Sequence, residues 1–108
     1  MKGLGDIGNL MKQAKKLQQE LERVQAEIAE LKIEAAAGGG MVTAVVNGQG
    51  GLTDLRIERE VVDPEDVEML VDLVIAAVQE AQSKAAEEAQ RRLGPLSQGA
   101  GIPGMPLG

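Results

Sequence analysis

Residues 7–31 read IGNLMKQAKKLQQELERVQAEIAEL. Apolar side chains recur at Ile7, Leu10, Ala14, Leu17, Leu21, Val24, Ile28 and Leu31. The alternating steps of three and four return the chain to the same side of an α-helix. Written as heptads, Ile7, Ala14, Leu21 and Ile28 take the a positions and Leu10, Leu17, Val24 and Leu31 the d positions. A stripe this narrow suits packing against one other helix, as in a coiled coil. Leu10, Leu17, Leu21, Val24, Ile28 and Leu31 are therefore the expected core or dimer contacts. Asp6 or Asn9 is placed to cap the start. The apolar order ends near Ile33, ahead of Ala35-Ala36-Ala37-Gly38-Gly39-Gly40, a composition that ends the helix and flexes or turns.

Downstream the period changes from helical to alternating. Residues 41–46 are short and β-branched, Asn47-Gly48-Gln49-Gly50-Gly51 is a turn signal, and residues 52–58 alternate polar and apolar, so two strands in a hairpin are expected. Asp63-Pro64-Glu65-Asp66 reads as a helix start, with Asp63 as cap and Pro64 at the first helical position. The second helix follows from Val67, its apolar face of Val67, Leu70, Val71, Val74, Val78, Ala81 and Ala85 widened by Leu73, Ile75 and Ala77. So wide a stripe predicts deep burial. Gly94-Pro95 is the expected stop. The reading is one α+β domain over residues 1–93: a long N-terminal helix, an antiparallel hairpin or sheet and a C-terminal helix. A flexible Gly/Pro-rich tail over 94–108 follows it.

The composition excludes most catalysis. Among 108 residues there is no His, Cys, Trp, Tyr or Phe, so the imidazole base, the thiolate nucleophile and the N/S ligands of zinc sites are all missing. The remaining carboxylates show no grouping with a base or a cleft. No catalytic residue, cofactor, metal or small-molecule substrate is expected. Neither glycine cluster opens a helix or carries a phosphate-binding lysine, and the five Met residues read as gap fillers. The N-terminus has no apolar signal core and no run of about 18 apolar residues occurs. The chain is expected to be cytoplasmic, without a membrane partner. A core as small as 108 residues allow is commonly completed by self-association, so a homodimer is expected.

Net charge is −6, an objection to non-specific polyanion binding, yet the charges are segregated. In the first 23 residues Lys2, Lys12, Lys15, Lys16 and Arg23 face only Asp6, Glu20 and Glu22, whereas between Glu60 and Glu88 nine acids face one base, Lys84. Lys12, Lys15, Lys16 and Arg23 fall at positions f, b, c and c, away from the a/d seam. On spacing alone the plainer reading is a solvated helix face. Lys84, Arg91 and Arg92 make a possible second basic patch near the tail.

Several stretches in order carry more than periodicity: Gly8-Asn9-Leu10-Met11-Lys12-Gln13-Ala14, then Gly40-Met41-Val42-Thr43-Ala44-Val45-Val46-Asn47-Gly48, Leu55-Arg56-Ile57, and Asp63-Pro64-Glu65-Asp66 with Glu68-Met69-Leu70. Together they resemble the YbaB/EbfC family of bacterial nucleoid-associated proteins, over residues 3–93. The resemblance implies an intertwined homodimer with strands of both subunits at its centre and long helices projecting like tweezers, located in the nucleoid. It implies binding of duplex DNA with little sequence dependence, in nucleoid organisation or gene regulation. Lys12, Lys15, Lys16 and Arg23 are the residues that match its basic N-terminal helix. The chain departs from more basic members in its acidic second helix and in a tail without Lys or Arg after Arg92. The absence of aromatics also removes base stacking and favours contacts with a duplex backbone. The alternative is a protein-interaction module that recruits a partner through its acidic helix or tail, with any DNA contact incidental.

Overall fold

Ile33–Ala37 (β1), Val42–Val46 (β2) and Leu52–Ile57 (β3) form one antiparallel sheet in the order β1-β2-β3, preceded by a helix, Lys2–Ala29 (α1), and followed by a second, Val67–Gly99 (α2), after a short 3-10 turn at Arg59–Val61. This computed structural model describes residues 2–99, and side chains from Asp6 to Ser97. The α+β class, the two helices and the hairpin of β2 and β3 are as the sequence leads one to expect; β1 is not.

The first helix stops at Ala29, before the last seam residue. Its Ile28 carbonyl accepts the Gly48 N–H at 3.0 Å and the Leu31 N–H at 3.1 Å, so the β2–β3 turn takes over a group that a further helical turn requires. Leu31 is left outside the helix and half-buried. The chain then enters β1, where Ile33, Ala35 and Ala37 pair with Val46, Ala44 and Val42. Alanine favours helix in isolation, but here packing decides. Small side chains on β1 and β2 meet the buried Ala77, Ala81 and Ala85 of α2, and the short Cβ groups let helix and sheet approach closely. Val42 and Val46 are the largest fully buried side chains.

Only the glycine half of the Ala/Gly stretch turns: Gly38, Gly39 and Gly40 have φ of 63°, 67° and 93°, a region open to glycine at little cost. At the other end of β2, Asn47 builds the turn to β3. Its side-chain oxygen accepts the N–H groups of Gln49 and Gly51, both at 2.9 Å. A bulge shifts the register from Val45↔Asp54 to Val46↔Leu52.

Two details of α2 differ from expectation. Asp63 accepts the Glu65 N–H at 3.0 Å and so holds a turn, whereas Asp66 caps the helix by accepting the Met69 N–H at 3.3 Å. Pro64 belongs to that turn and lies before the helix. The helix also passes through Gly94 and Pro95 and runs to Gly99, so the expected stop at residue 94 is overturned. A proline removes one backbone donor, and the rest of a 33-residue helix outweighs that loss. The last nine residues lie outside the described part of the chain.

The expectation of deep burial for α2 is corrected too. The helix packs mainly over β1 and β2, with Ala77, Ala81 and Ala85 buried and Leu70, Leu73, Val74 and Val78 half-buried. Val67, Val71 and Ile75 are 55%, 48% and 48% exposed. One half of the wide stripe is covered by this chain and the other half is not.

Gly48 has no room for a side chain, because a Cβ there meets the Ile28 carbonyl oxygen at 2.2 Å and Ile28 Cγ2 at 2.5 Å. Replacing Gly48 by Ala forces α1 away from the sheet, and overpacking of this kind costs about 2 kcal/mol. Urea unfolding followed by circular dichroism checks this, with Gly39→Ala, where no atom lies within 4 Å but φ is +67°, as a strain-only comparison of about 1 kcal/mol.

Candidate nucleic-acid interface

The body of the molecule is the sheet with α2 across it, and α1 is fixed to that body by its C-terminal end. Val24 and Ile28 are buried, Arg92 of α2 lies 3.9 Å from Glu27, and Gln25, Ile28, Gln49, Ala89 and Leu93 line a small groove between α1, α2 and the β2–β3 turn. Toward the N-terminus the cover fails: Leu17 is half-buried, and every residue from Asp6 to Lys16 is exposed. The result is a projecting arm on a molecule 79 × 25 × 16 Å in extent.

On that arm Lys12, Lys15 and Lys16 stand within about 6 Å of helix axis, on the side turned from the seam, and all three are exposed. None forms an ion pair among the described residues. Three ammonium groups placed this way can act as point charges toward phosphate oxygens. Arg23 is placed differently. It lies about 10 Å further along the axis and is held between Glu20 at 3.6 Å and Glu27 at 2.8 Å. The structure groups the three lysines and leaves Arg23 apart, with its charge locally answered.

The expected packing residues also divide. Val24 and Ile28 are core, Leu17 and Leu31 are half-buried, and Leu21 and Leu10 are 36% and 63% exposed.

Of the basic groups off the arm, Arg56, Arg91 and Arg92 are paired with acids, whereas Lys32, Arg59 and Lys84 form no ion pair among the described residues. Arg92 Nε donates to Glu88 at 2.9 Å and Arg91 also pairs with Glu88, while Lys84 Nζ lies 3.5 Å from the Glu34 carbonyl oxygen. The patch near the tail is therefore an internal network. On the face of the sheet away from α2, Arg56 sits between Glu34, with which it pairs, and Asp54 at 3.8 Å. These groups edge a shallow depression of 590 Å³ that includes Lys32, Val45 and Thr53, and its acids leave no net positive charge for a phosphate. Among the described residues no three potential ligand side chains come together to hold a metal, and no helix is long and apolar enough to cross a membrane.

A second surface was not visible in the sequence pattern. Gln82 donates to the Gly50 carbonyl at 3.0 Å on the flank of α2 nearer β3, while Lys84 reaches β1 from the opposite flank. The exposed Val71 and Ile75 share the Gln82 flank, the side of α2 toward the edge strand β3, whose Leu52 and Ile57 are also exposed. The signal was the excess width of the α2 stripe, which only the placement of the sheet turns into an uncovered trough.

A three-stranded sheet with one long helix across it and another carried outward, bearing exposed lysines, defines a small α+β protein built to present a helical arm. A model of the YbaB/EbfC DNA-binding family matches residues 2–100, and the chain belongs to that family, whose members are DNA-binding proteins and not enzymes. It is 49% identical over 107 residues to a nucleoid-associated protein of Rhodococcus opacus, covering 96% of this chain and 95% of that protein. A nucleoid-associated protein of Acetivibrio thermocellus is 50% identical over 102 residues, with 94% and 90% covered. The crystal structure of an uncharacterized protein from Helicobacter pylori has the same fold, with a TM-score of 0.66 at 25% identity over 79% of this chain and 88% of that one.

The Glu88 network has a pH signature. The hydrogen bond from Arg92 holds the Glu88 carboxyl below its ordinary value of 4.5, aided by the charges of Arg91 and Arg92 and opposed by desolvation. A depressed folded-state pKa contributes stability that is present above the ordinary value and lost as pH falls through the folded one. Replacing Glu88 by Gln is expected to flatten the fall of the melting temperature below pH 4.5, which thermal scans across an acid pH series measure.

Proposed function

We propose that the chain works in the bacterial cytoplasm, at the nucleoid, as a homodimer that binds duplex DNA with little sequence dependence and contributes to nucleoid organisation or gene regulation. The observation that carries the reading is the set Lys12, Lys15 and Lys16, exposed and without acidic partners on an arm clear of the acidic body. Their role is phosphate neutralisation, which carries no base information and so gives weak sequence dependence. Arg23 adds to this only by exchanging Glu20 and Glu27 for phosphate. The names of the relatives from Rhodococcus opacus and Acetivibrio thermocellus support the location.

The trough supports the dimer. Leu52, Ile57, Val71 and Ile75 form an apolar surface beside an unpaired strand edge, a combination that favours pairing with another chain. A second copy laid against it buries the uncovered half of the α2 stripe and brings the strands of both copies to the centre, while both arms stay outside. Replacing Ile57 and Val71 together by Gln is expected to yield a monomer in sedimentation velocity, where the unaltered protein sediments as a dimer.

With two arms, the six lysines predict a log–log dependence of affinity on salt with a slope of about −5, approaching about −7 if both Arg23 side chains engage. Gel-shift titrations on unrelated duplexes at several salt concentrations test this. Lys12, Lys15 and Lys16 all replaced by Gln should abolish the shift and Arg23→Gln should weaken it little. An affinity indifferent to salt, or retained in the triple variant, refutes the mechanism.

A further inference from the structure

The arm has a second side. Opposite the lysines, Ile7, Leu10 and Met11 are 55%, 63% and 68% exposed, and with Ala14 they continue the heptad stripe that is buried further on at Val24 and Ile28. In the body this stripe meets α2; on the arm nothing among the described residues covers it. The trough between β3 and α2 lies on other elements, so the dimer proposed above leaves this stripe bare.

We propose that the apolar side of the α1 arm is a second self-association surface whose occupant is the arm of another copy, so that neighbouring dimers on DNA join arm to arm. The inference rests on the DNA-bound dimer proposed above.

Three features specify a helix of the same kind as partner. The stripe is narrow, confined to a and d with Met11 at e, and a stripe of that width fits a single helix. The e and g positions that flank this part of the seam are Asp6, Met11, Gln13 and Gln18; all but Asp6, at the tip, are uncharged, so two arms meet along most of the contact without like charges facing each other. The cations sit at f, b and c, where they remain turned outward to phosphates while the seam is occupied. One helix thus packs on one side and binds a polyanion on the other without competition between the two.

The contact is short, about three helical turns, and contacts of this length are marginal between free molecules. Dimers placed side by side on one duplex are held at high effective concentration, which turns a weak contact into a cooperative one. DNA also neutralises the lysines whose mutual repulsion otherwise opposes the approach of two arms.

The test uses the full-length protein and the variant Ile7→Gln/Leu10→Gln, which keeps every charge and alters only exposed side chains. Far-UV circular dichroism establishes that it folds. Two readings are taken: sedimentation velocity up to high protein concentration, and binding isotherms on a duplex that accommodates one dimer and on one that accommodates many. The expected result is that the unaltered protein forms species larger than the dimer and fills the long duplex cooperatively. The variant should sediment as a dimer, fill the long duplex as independent sites, and bind the short duplex with the same affinity as the unaltered protein.

Cooperativity that persists in the variant overturns the proposal. So does a monomeric variant, because the arm is then the primary dimer contact. Co-sedimentation of the unaltered protein with vesicles of phosphatidylcholine and phosphatidylglycerol at 3:1, without species larger than the dimer, also overturns it and makes the arm a membrane-surface helix. A failure of the DNA reading is separate: it appears as no binding to the short duplex at low salt, while sedimentation still reports arm pairing.

Discussion

The contact on which the structure turns is between the end of α1 and the β2–β3 turn. Gly48 offers its N–H to the Ile28 carbonyl at 3.0 Å and has no Cβ to prevent the approach. That bond ends the helix, fixes the point at which α1 leaves the sheet, and frees the following residues to become β1. With β1 in place the sheet has three strands and α2 has a floor over which Ala77, Ala81 and Ala85 pack. Asn47, which ties the same turn together through its own side chain, is the local support of this arrangement.

The division of charge follows from the same junction. The acids of the chain lie mostly on and before α2, whereas the arm between Asp6 and Lys16 carries one acid and three lysines. A protein of net charge −6 presents a positive end because one helix is carried beyond the reach of the other. Over the roughly 8 Å across which charges are felt at physiological salt, a polyanion at the arm meets the lysines and little of the body.

Much of this was legible in the residues, and the exceptions have physical causes. The heptad stripe gave the first helix and the Asn-Gly turn gave the hairpin, because both signals are local. The strand β1 was hidden, since three alanines after a helical stripe look helical or flexible until a neighbouring strand and the alanines of α2 supply a reason to extend. Asp63 and Asp66 are both good caps, and only the backbone path distinguishes them. Gly94-Pro95 has the composition of a helix stop, although a long helix absorbs one missing donor. Of the candidate phosphate contacts, the three lysines stand together without acidic partners among the described residues, whereas Arg23 is paired, because Glu20 and Glu27, three residues before it and four after, are within reach on the same face. The trough beside β3 depends on which half of a wide stripe the sheet covers, and periodicity alone carries no information about that.

A helix attached at one end is also a lever. From Val24 back to Lys2 the arm is about 33 Å long at 1.5 Å per residue, and it is held to the body at its C-terminal end, by the buried Val24 and Ile28, the Gly48 contact and the Glu27–Arg92 pair. A tilt of about 10° at this fulcrum sweeps the tip through about 6 Å on that rise per residue, half the width of a major groove, while the lysines nearer the pivot move less. The direction of the arm is therefore set by the stiffness of this one junction, and small repacking there becomes a large displacement of the tip.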